Sequence, residues 1–424
     1  MTPPPRSKLK TLIGPGLITG ASDDDPSGIG TYSQVGAQFG FGTLWLIVVS
    51  YPLMVAAQLV SAQIGRVTGR GLGANIRQQF PSWFYGPVVM LLVMANAINI
   101  GADLGAMGAA TQLLLGGPAL PYTAGLGLLS LLLQVFVPYS RYVSILKWLT
   151  LAVFAYVGTA LVSHVQWNEV LVSLVQPKIT WNGDYMTAVV ALLGTTISPY
   201  LFFWQASEEV EEQQATAGEL PLKRAPQQAE AQMGAVRSAT YFGMAVSNII
   251  AFFIIVTAAA TLHANGITEI TSAAQAAKAL EPIAGRFAEV LFAAGMVGTG
   301  LLAVPVLAGS SAYALGEVMK RRVGLEERPA RAPFFYAVIA VSTVVGIGMN
   351  LLQLNPMKAL YWSAVINGAI AAPILAAVMC VAVRKSVMGK LTISPALRRW
   401  GWMTTFVMAG CALALFLQSA AGLG

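Results

Sequence analysis

Three consecutive aspartates, Asp23, Asp24 and Asp25, stand in the stretch Ala21-Ser22-Asp23-Asp24-Asp25-Pro26-Ser27-Gly28, inside an otherwise apolar run over residues 11–41. That run is long enough to cross a bilayer, which puts the acids near mid-membrane. A charge there costs about 2.5–3.5 kcal/mol on insertion scales, so acids at that depth mark function, and the chemistry of clustered carboxylates is cation binding. Pro26 has no backbone N–H and disfavours helix at Asp25. Ser27 and Gly28 let the chain unwind. Carbonyls freed in this way are tolerated only inside protein or beside a water-filled cavity. The stretch reads as a broken helix that binds a cation. The alternative is a cytoplasmic acidic turn before a first membrane helix starting at Ile29, which leaves residues 12–21 as unexplained apolar sequence.

A second interruption, Gly194-Thr195-Thr196-Ile197-Ser198-Pro199-Tyr200, again sets a small polar residue before a proline within an apolar run. Two breaks at corresponding places in two halves of a membrane chain point to an inverted-repeat transporter with its site between them. A kink at Pro199, with its freed carbonyls satisfied by Thr195 or Thr196, is the simpler reading of the second break alone.

Asp103 follows Asn96 and Asn99 by seven and four residues, which puts all three on one helix face. That face lines an ion path or makes a polar contact between helices. Asn367, beside Gly368 and Ala369, either reaches the site or packs a small-residue segment. Gln58 and Gln63 are weaker candidates. Glu208, Glu209, Glu211 and Glu212 lie about three turns past the second break, as an acidic vestibule or as a solvated helix end. Glu317, with Lys320 and Arg321, reads as an ordinary helix end.

The elements that must hold these residues follow from composition. The chain has 424 residues, 56% apolar and 10% charged, with a mean hydropathy of +0.66. Soluble domains carry about 25% charged residues. An all-α polytopic membrane protein is expected, forming a single transmembrane transporter domain over residues 1–424. Eleven spans are read at about 11–41 (broken), 43–65, 86–115, 121–138, 141–163, 184–213 (broken), 235–262, 285–319, 333–352, 357–383 and 398–421. Gly116-Gly117-Pro118, Pro138-Tyr139-Ser140 and Asn355-Pro356 mark turns. Trp83, Tyr85, Trp167, Trp181, Trp400 and Trp402 sit near span ends as interfacial anchors. The breaks fall in spans one and six, an odd offset that inverts topology.

Of the 25 basic residues, all but Lys178, Lys278, Arg286 and Lys358 fall on one side of this topology. The positive-inside bias then places the N-terminus in the cytoplasm of a cell's inner (plasma) membrane, with Gly424 outside. No cleavable signal peptide is expected. Cys380 and Cys411 both lie in apolar runs, and His164 and His263 both lie near loops, so neither a disulfide framework nor a thiolate or imidazole metal cluster is expected. No nucleophile–base constellation or cofactor motif is present, so the chain reads as no enzyme and needs no cofactor. Expected partners are divalent metal ions and the lipid bilayer, with no nucleic acid, for a protein that works as a monomer.

Gly14-Pro15-Gly16-Leu17, Asp25-Pro26-Ser27-Gly28 and Val35-Gly36-Ala37-Gln38-Phe39-Gly40 resemble the first helix of the NRAMP divalent-metal transporters, with its GPG, DPGN and AGAQYG motifs. Residues 64–70 are similar to the end of that family's second helix, and residues 194–200 to its GATVMPH segment. The resemblance implies a leucine-transporter-like fold of 11 transmembrane helices. It has a 5+5 inverted repeat with helices 1 and 6 broken: residues 11–163, then 184–383, then an extra helix at 398–421. It also implies a divalent cation as the transported substrate.

The departures set the chemistry. The family's asparagine is Gly28 here, its methionine is Ser198, its alanine is Thr195, and its helix-six histidine is Tyr200. Ile100 and Asp103 stand where the family has two acids. The metal candidates are therefore Asp25, Gly28, Thr195, Ser198, Asp24 and Asp23, with Asp103, Asn99, Tyr200 and Asn367 along the ion path. Loss of a thioether favours hard ions, and a wide polar cavity suits Mg²⁺, which keeps part of its water. The pattern resembles the NRAMP-related magnesium branch, expected to carry Mg²⁺ with Mn²⁺ by uptake that is not proton-coupled. The alternatives are a proton-coupled Mn²⁺/Fe²⁺ transporter and a sodium-coupled carrier of a small organic solute.

Overall fold

The computed structural model describes residues 19–20, 23–137 and 151–420. The Gly14-Pro15-Gly16-Leu17 motif, the Pro138-Tyr139-Ser140 turn, the start of the fifth span and Gly424 lie outside the described residues.

Among the described residues the secondary structure is all helical, and the long helices are α1 (Pro26–Phe39), α2 (Trp45–Thr68), α4 (Ser82–Leu115), α5 (Ala119–Phe136), α8 (Gly183–Thr196), α9 (Pro199–Ala215), α10 (Ala229–Thr261), α11 (Ala288–Val318), α12 (Pro333–Met349), α13 (Pro356–Val383) and α14 (Pro395–Ala420). Shorter helices are α3 (Leu72–Gln79), α6 (Ala155–Val162) and α7 (Trp167–Val175). Among the described residues, nine helical segments are long and apolar enough to cross a membrane, α8 and α9 counting as one. The other two expected spans are described in part, as α1 and as residues 151–162. α7 is a feature the sequence reading lacked; it opens at Trp167, and Trp181 lies two residues before α8.

The breaks arise as the sequence dictates. Asp25 is the N-cap of α1, its backbone extended and its side chain accepting from Gly28 N, with Pro26 at the first helical position. This is the arrangement in which proline and aspartate both favour a helix start. α8 stops at Thr196, Ile197 and Ser198 leave helical geometry, and Pro199 opens α9. The hydroxyls of Ser198 and Thr196 return to the carbonyls that the break frees: Ser198 donates to Gly194 and Thr195 at 2.9 and 2.8 Å, and Thr196 to Leu192 at 3.0 Å.

α1 and the α8–α9 pair lie inside the bundle, packed against α10, α13, α4 and α2. α8 meets α13 at Gly194 and Gly368, where a Cβ on either would strike the other helix's backbone. Such small-residue contacts are how membrane helices approach closely. The outer helices turn Leu132, Phe136, Leu161, Phe406 and Phe416 outward, as a lipid-facing surface requires. Trp83 and Trp181 are 76% and 84% exposed near helix ends, where interfacial anchors belong.

At the basic end of the bundle, the glutamates of α9 form neither an open vestibule nor a solvated helix end. Arg66 is buried, and its guanidinium reaches Glu209 at 2.6 Å, Glu219 at 2.7 Å and Glu212. Glu211 accepts from Tyr313 and from Leu325 N, the latter at 2.9 Å. Spacing along α9 could not reveal this, because the partners come from α2, α11 and two loops. Glu317 likewise is no ordinary end: it accepts from Ala74 N at 3.1 Å, at the start of α3.

Candidate metal centre

The site is built where α1 begins. Its N-cap, Asp25, is held from three directions: Oδ1 accepts from Gly28 N at 2.6 Å, and Oδ2 accepts from Asn99 Nδ2 at 3.0 Å and from Tyr200 OH at 3.3 Å. α1, α4 and α9 thus converge on one carboxylate. Asp103 sits one turn along α4 from Asn99, and its Oδ1 accepts from Ser27 N at 3.2 Å. The hydroxyl of Ser27 bonds to Leu360 O at 3.0 Å and pairs with Ser363 Oγ at 2.9 Å, which ties the break to α13.

Gly28 faces α8. A Cβ there would lie 3.4 Å from both Asp25 Oδ1 and Thr195 Oγ1, and 3.3 Å from the carbonyl of Asp23. Gly28 therefore lets its backbone sit close among a carboxylate, a hydroxyl and a backbone carbonyl, all of which present oxygen, with space for little more than a methyl group. Ser198 gives its proton to its own helix, so towards any ion its oxygen acts only as an acceptor.

Asp23 and Asp24 turn elsewhere. Ser247 of α10 donates to Asp23 Oδ2 at 2.6 Å and lies 3.3 Å from Asp24 Oδ1. The structure thus divides the acidic run: Asp25 with Asn99 and Tyr200, and the other two with Ser247. Asn367 is buried on α13, one residue from the Gly368 contact with α8. Asn96 is a contact between helices, donating to Leu307 O at 3.1 Å and Ser311 Oγ at 3.0 Å on α11. Gln63 donates to Leu391 O at 3.1 Å.

Electrostatics decide what the arrangement can do. Asp23, Asp24, Asp25 and Asp103 are all buried, and among the described residues no basic side chain pairs with any of them. Buried carboxylates without a counter-charge are costly, so the cluster calls for positive charge. Acceptors are also in surplus: Asp23 Oδ1, Asp103 Oδ2, Asn99 Oδ1 and Asn367 Oδ1 are buried with no partner. Among the described residues no three His, Cys, Asp or Glu side chains converge enough to hold a metal by themselves. An ion at Asp25 would complete its shell from hydroxyls, amide and backbone carbonyls and retained water, the ligand set of a hard cation. Ser247 and Ser363 were missed in the sequence, being single hydroxyls in apolar runs with no distinguishing spacing.

The family described as natural resistance-associated macrophage protein-like matches residues 16–418. The divalent metal cation transporter MntH of Klebsiella pneumoniae (strain 342) is 25% identical over 402 residues, 94% of this chain and 91% of its own. The fold is similar to that of the Eremococcus coleocola manganese transporter in complex with an aromatic bis-isothiourea substituted compound. That pair has a TM-score of 0.76 and 16% identity, over 98% of this chain and 88% of the other. It is also similar to Mhp1, a nucleobase-cation-symport-1 family transporter, in a closed conformation with bromovinylhydantoin bound (TM-score 0.58, 16% identity, 98% and 94% covered). The architecture is the leucine-transporter-like fold.

Proposed function

The chain belongs to the natural resistance-associated macrophage protein-like family, and from that premise we propose that it moves divalent metal cations across a cell membrane, Mg²⁺ together with Mn²⁺, through the gap between α1 and the α8–α9 break. It is a multi-pass membrane transporter and not an enzyme; the metal is its substrate. The observation that carries the choice of ion is the set of ligands on offer beside Asp25: a carboxylate, the Thr195 hydroxyl and the Asp23 carbonyl around Gly28, with a hydroxyl and no thioether at Ser198. Carboxylate, carbonyl and water ligands suit Mg²⁺ and Mn²⁺, and a thioether, the soft ligand that would favour a transition metal, is missing at Ser198.

In this reading residues 11–163 and 184–383 are the two inverted repeats and 398–421 an added helix. Asp25, Gly28, Thr195 and Ser198 line the ion, and Asp23 and Asp24 supply negative potential beside it. Asn99, Asp103, Tyr200 and Asn367 line the path. The N-terminus is cytoplasmic, the C-terminus outside, and the monomer is the working unit. Transport runs down the electrochemical gradient without proton coupling. A second reading, proton-coupled Mn²⁺ or Fe²⁺ transport, is favoured by one feature: Asp103 has one unpartnered oxygen, while its other oxygen accepts from Ser27 N, two residues past the Asp25 cap.

The test is uptake into proteoliposomes of the full chain with Mg²⁺, Mn²⁺, Ca²⁺ and Na⁺ in competition. Mg²⁺ uptake that Mn²⁺ competes away supports the first reading. Mn²⁺ uptake indifferent to excess Mg²⁺ overturns it.

A further inference from the structure

At the basic end of the bundle, α2, α10 and α14 enclose a groove of about 780 Å³ open to the outer surface. Its walls are apolar, with Val55 and Leu59 of α2 and Leu397 of α14, and its polar rim carries Arg237, Lys390, Tyr241 and Trp400. Arg237 and Lys390 are exposed, and neither has an ion-pair partner among the described residues. One acid, Glu230, shares the lining. Arg398 and Arg399 line the adjoining depression on α14 and extend the cationic band.

We propose that this groove binds an anionic phospholipid, with the phosphate between Arg237 and Lys390 and one acyl chain along α2. Length supports the acyl chain. The lining on α2 runs from Tyr51 to Gln63, about 18 Å of helix, against about 15 Å for the hydrocarbon of one leaflet. Charge supports the headgroup, since basic pockets between membrane helices hold anionic lipids. The comparable groove at the opposite end, of about 920 Å³, has the reverse character. Its cation Lys358 is already paired with Glu269 at 2.8 Å, and Asp184 adds a further acid. Trp400, which shares the lining with Lys390, is the kind of side chain that settles at headgroup level.

The experiment is native mass spectrometry of the full chain equilibrated in detergent with phosphatidylglycerol or phosphatidylcholine. Phosphatidylglycerol is expected to stay bound in preference. The double variant Arg237→Gln/Lys390→Gln should weaken its retention by about thirtyfold, the loss expected for two basic groups, with phosphatidylcholine unchanged. Leu59→Trp, which fills the apolar wall and keeps both cations, should also weaken phosphatidylglycerol. Thermal unfolding in phosphatidylcholine checks that each variant is folded; an unfolded variant is replaced by Arg237→Lys/Lys390→Arg, which should retain the lipid. Equal retention by wild type and a folded double variant overturns the proposal. So does displacement of the lipid by inorganic phosphate, which would mean a plain anion site, or a dimer that covers the groove.

Discussion

Asn99 Nδ2 lies 3.0 Å from Asp25 Oδ2, a contact that joins the middle of α4 to the cap of α1. It leaves the amide oxygen of Asn99 buried and unpartnered beside a carboxylate that has no cationic neighbour. Asn99 thus orients the acid and offers a neutral oxygen next to it, which is what a cation held by few charges needs.

Asp25→Ala should abolish metal uptake while the protein still folds. Asp25 is the one acid on which α1, α4 and α9 all converge. Proteoliposome uptake and metal-binding calorimetry are the measurements. Undiminished transport by a well-folded variant would remove Asp25 from the site.

Asn99→Ala should weaken the apparent affinity for metal by about ten- to a hundredfold, given about 1.5–3 kcal/mol for a hydrogen bond to a charged group. Uptake measured against metal concentration reads this. The maximal rate should fall less than the affinity, because Gly28 N and Tyr200 still hold Asp25. An unchanged affinity would mean that Asn99 only packs.

Gly28→Asn together with Ser198→Met should shift preference from Mg²⁺ towards Mn²⁺. A Cβ at residue 28 would already stand 3.4 Å from Asp25 Oδ1 and Thr195 Oγ1, so a longer side chain there crowds both oxygens and puts its own amide beside the ion. The thioether adds a soft ligand that a hard ion rejects. The readout is the ratio of Mg²⁺ to Mn²⁺ uptake in one preparation, and an unmoved ratio would show that neither residue lines the ion.

How much of this was legible in the sequence follows the range of each interaction. The breaks at Asp25-Pro26 and Ser198-Pro199 are local: proline lacks a donor, the cap is aspartate, and the structure interrupts both helices there. The convergence of Asn99 on Asp25 was half visible, since its spacing to Asp103 marked a face but could not say which helix that face met. The split of Asp23 and Asp24 towards Ser247 was invisible, because a serine in an apolar run of α10 carries no periodic signal. The same limit hid the ion pairs of Arg66, whose partners lie more than 140 residues away in sequence.

Arg66→Ala should destabilise the protein by about 3–5 kcal/mol, the usual effect of removing one partner of a buried ion pair. It leaves Glu209 buried opposite Glu212 and removes the 2.7 Å side-chain tie from Glu219 to α2, while the backbone bond of Leu222 N to Arg66 O, at 3.0 Å, stays in place. A thermal-shift assay in detergent is the check. A melting temperature within a degree or two of wild type would make the cluster dispensable for the fold.

The last prediction concerns coupling. The NRAMP pattern has a histidine where Tyr200 stands, and a second acid where Ile100 stands. Tyrosine has an unperturbed pKa of about 10, so it does not exchange protons near neutral pH as imidazole does. Here Tyr200 OH is a neighbour of Asp25 at 3.3 Å, a position from which it steadies the carboxylate without carrying charge. The driving force is sufficient without protons. An inside-negative potential contributes about 2.3 kcal/mol per elementary charge per 100 mV, and a divalent cation gains twice that on entry. Metal uptake should therefore follow membrane potential and leave the lumen pH unchanged. The competing route runs through Asp103, whose second oxygen is unpartnered. Liposomes loaded with a pH-sensitive dye and clamped at a fixed potential separate the two. A lumen that acidifies only when metal is present would show coupling, and its loss in Asp103→Asn would assign the proton to Asp103. A flat dye signal during metal entry is the outcome expected.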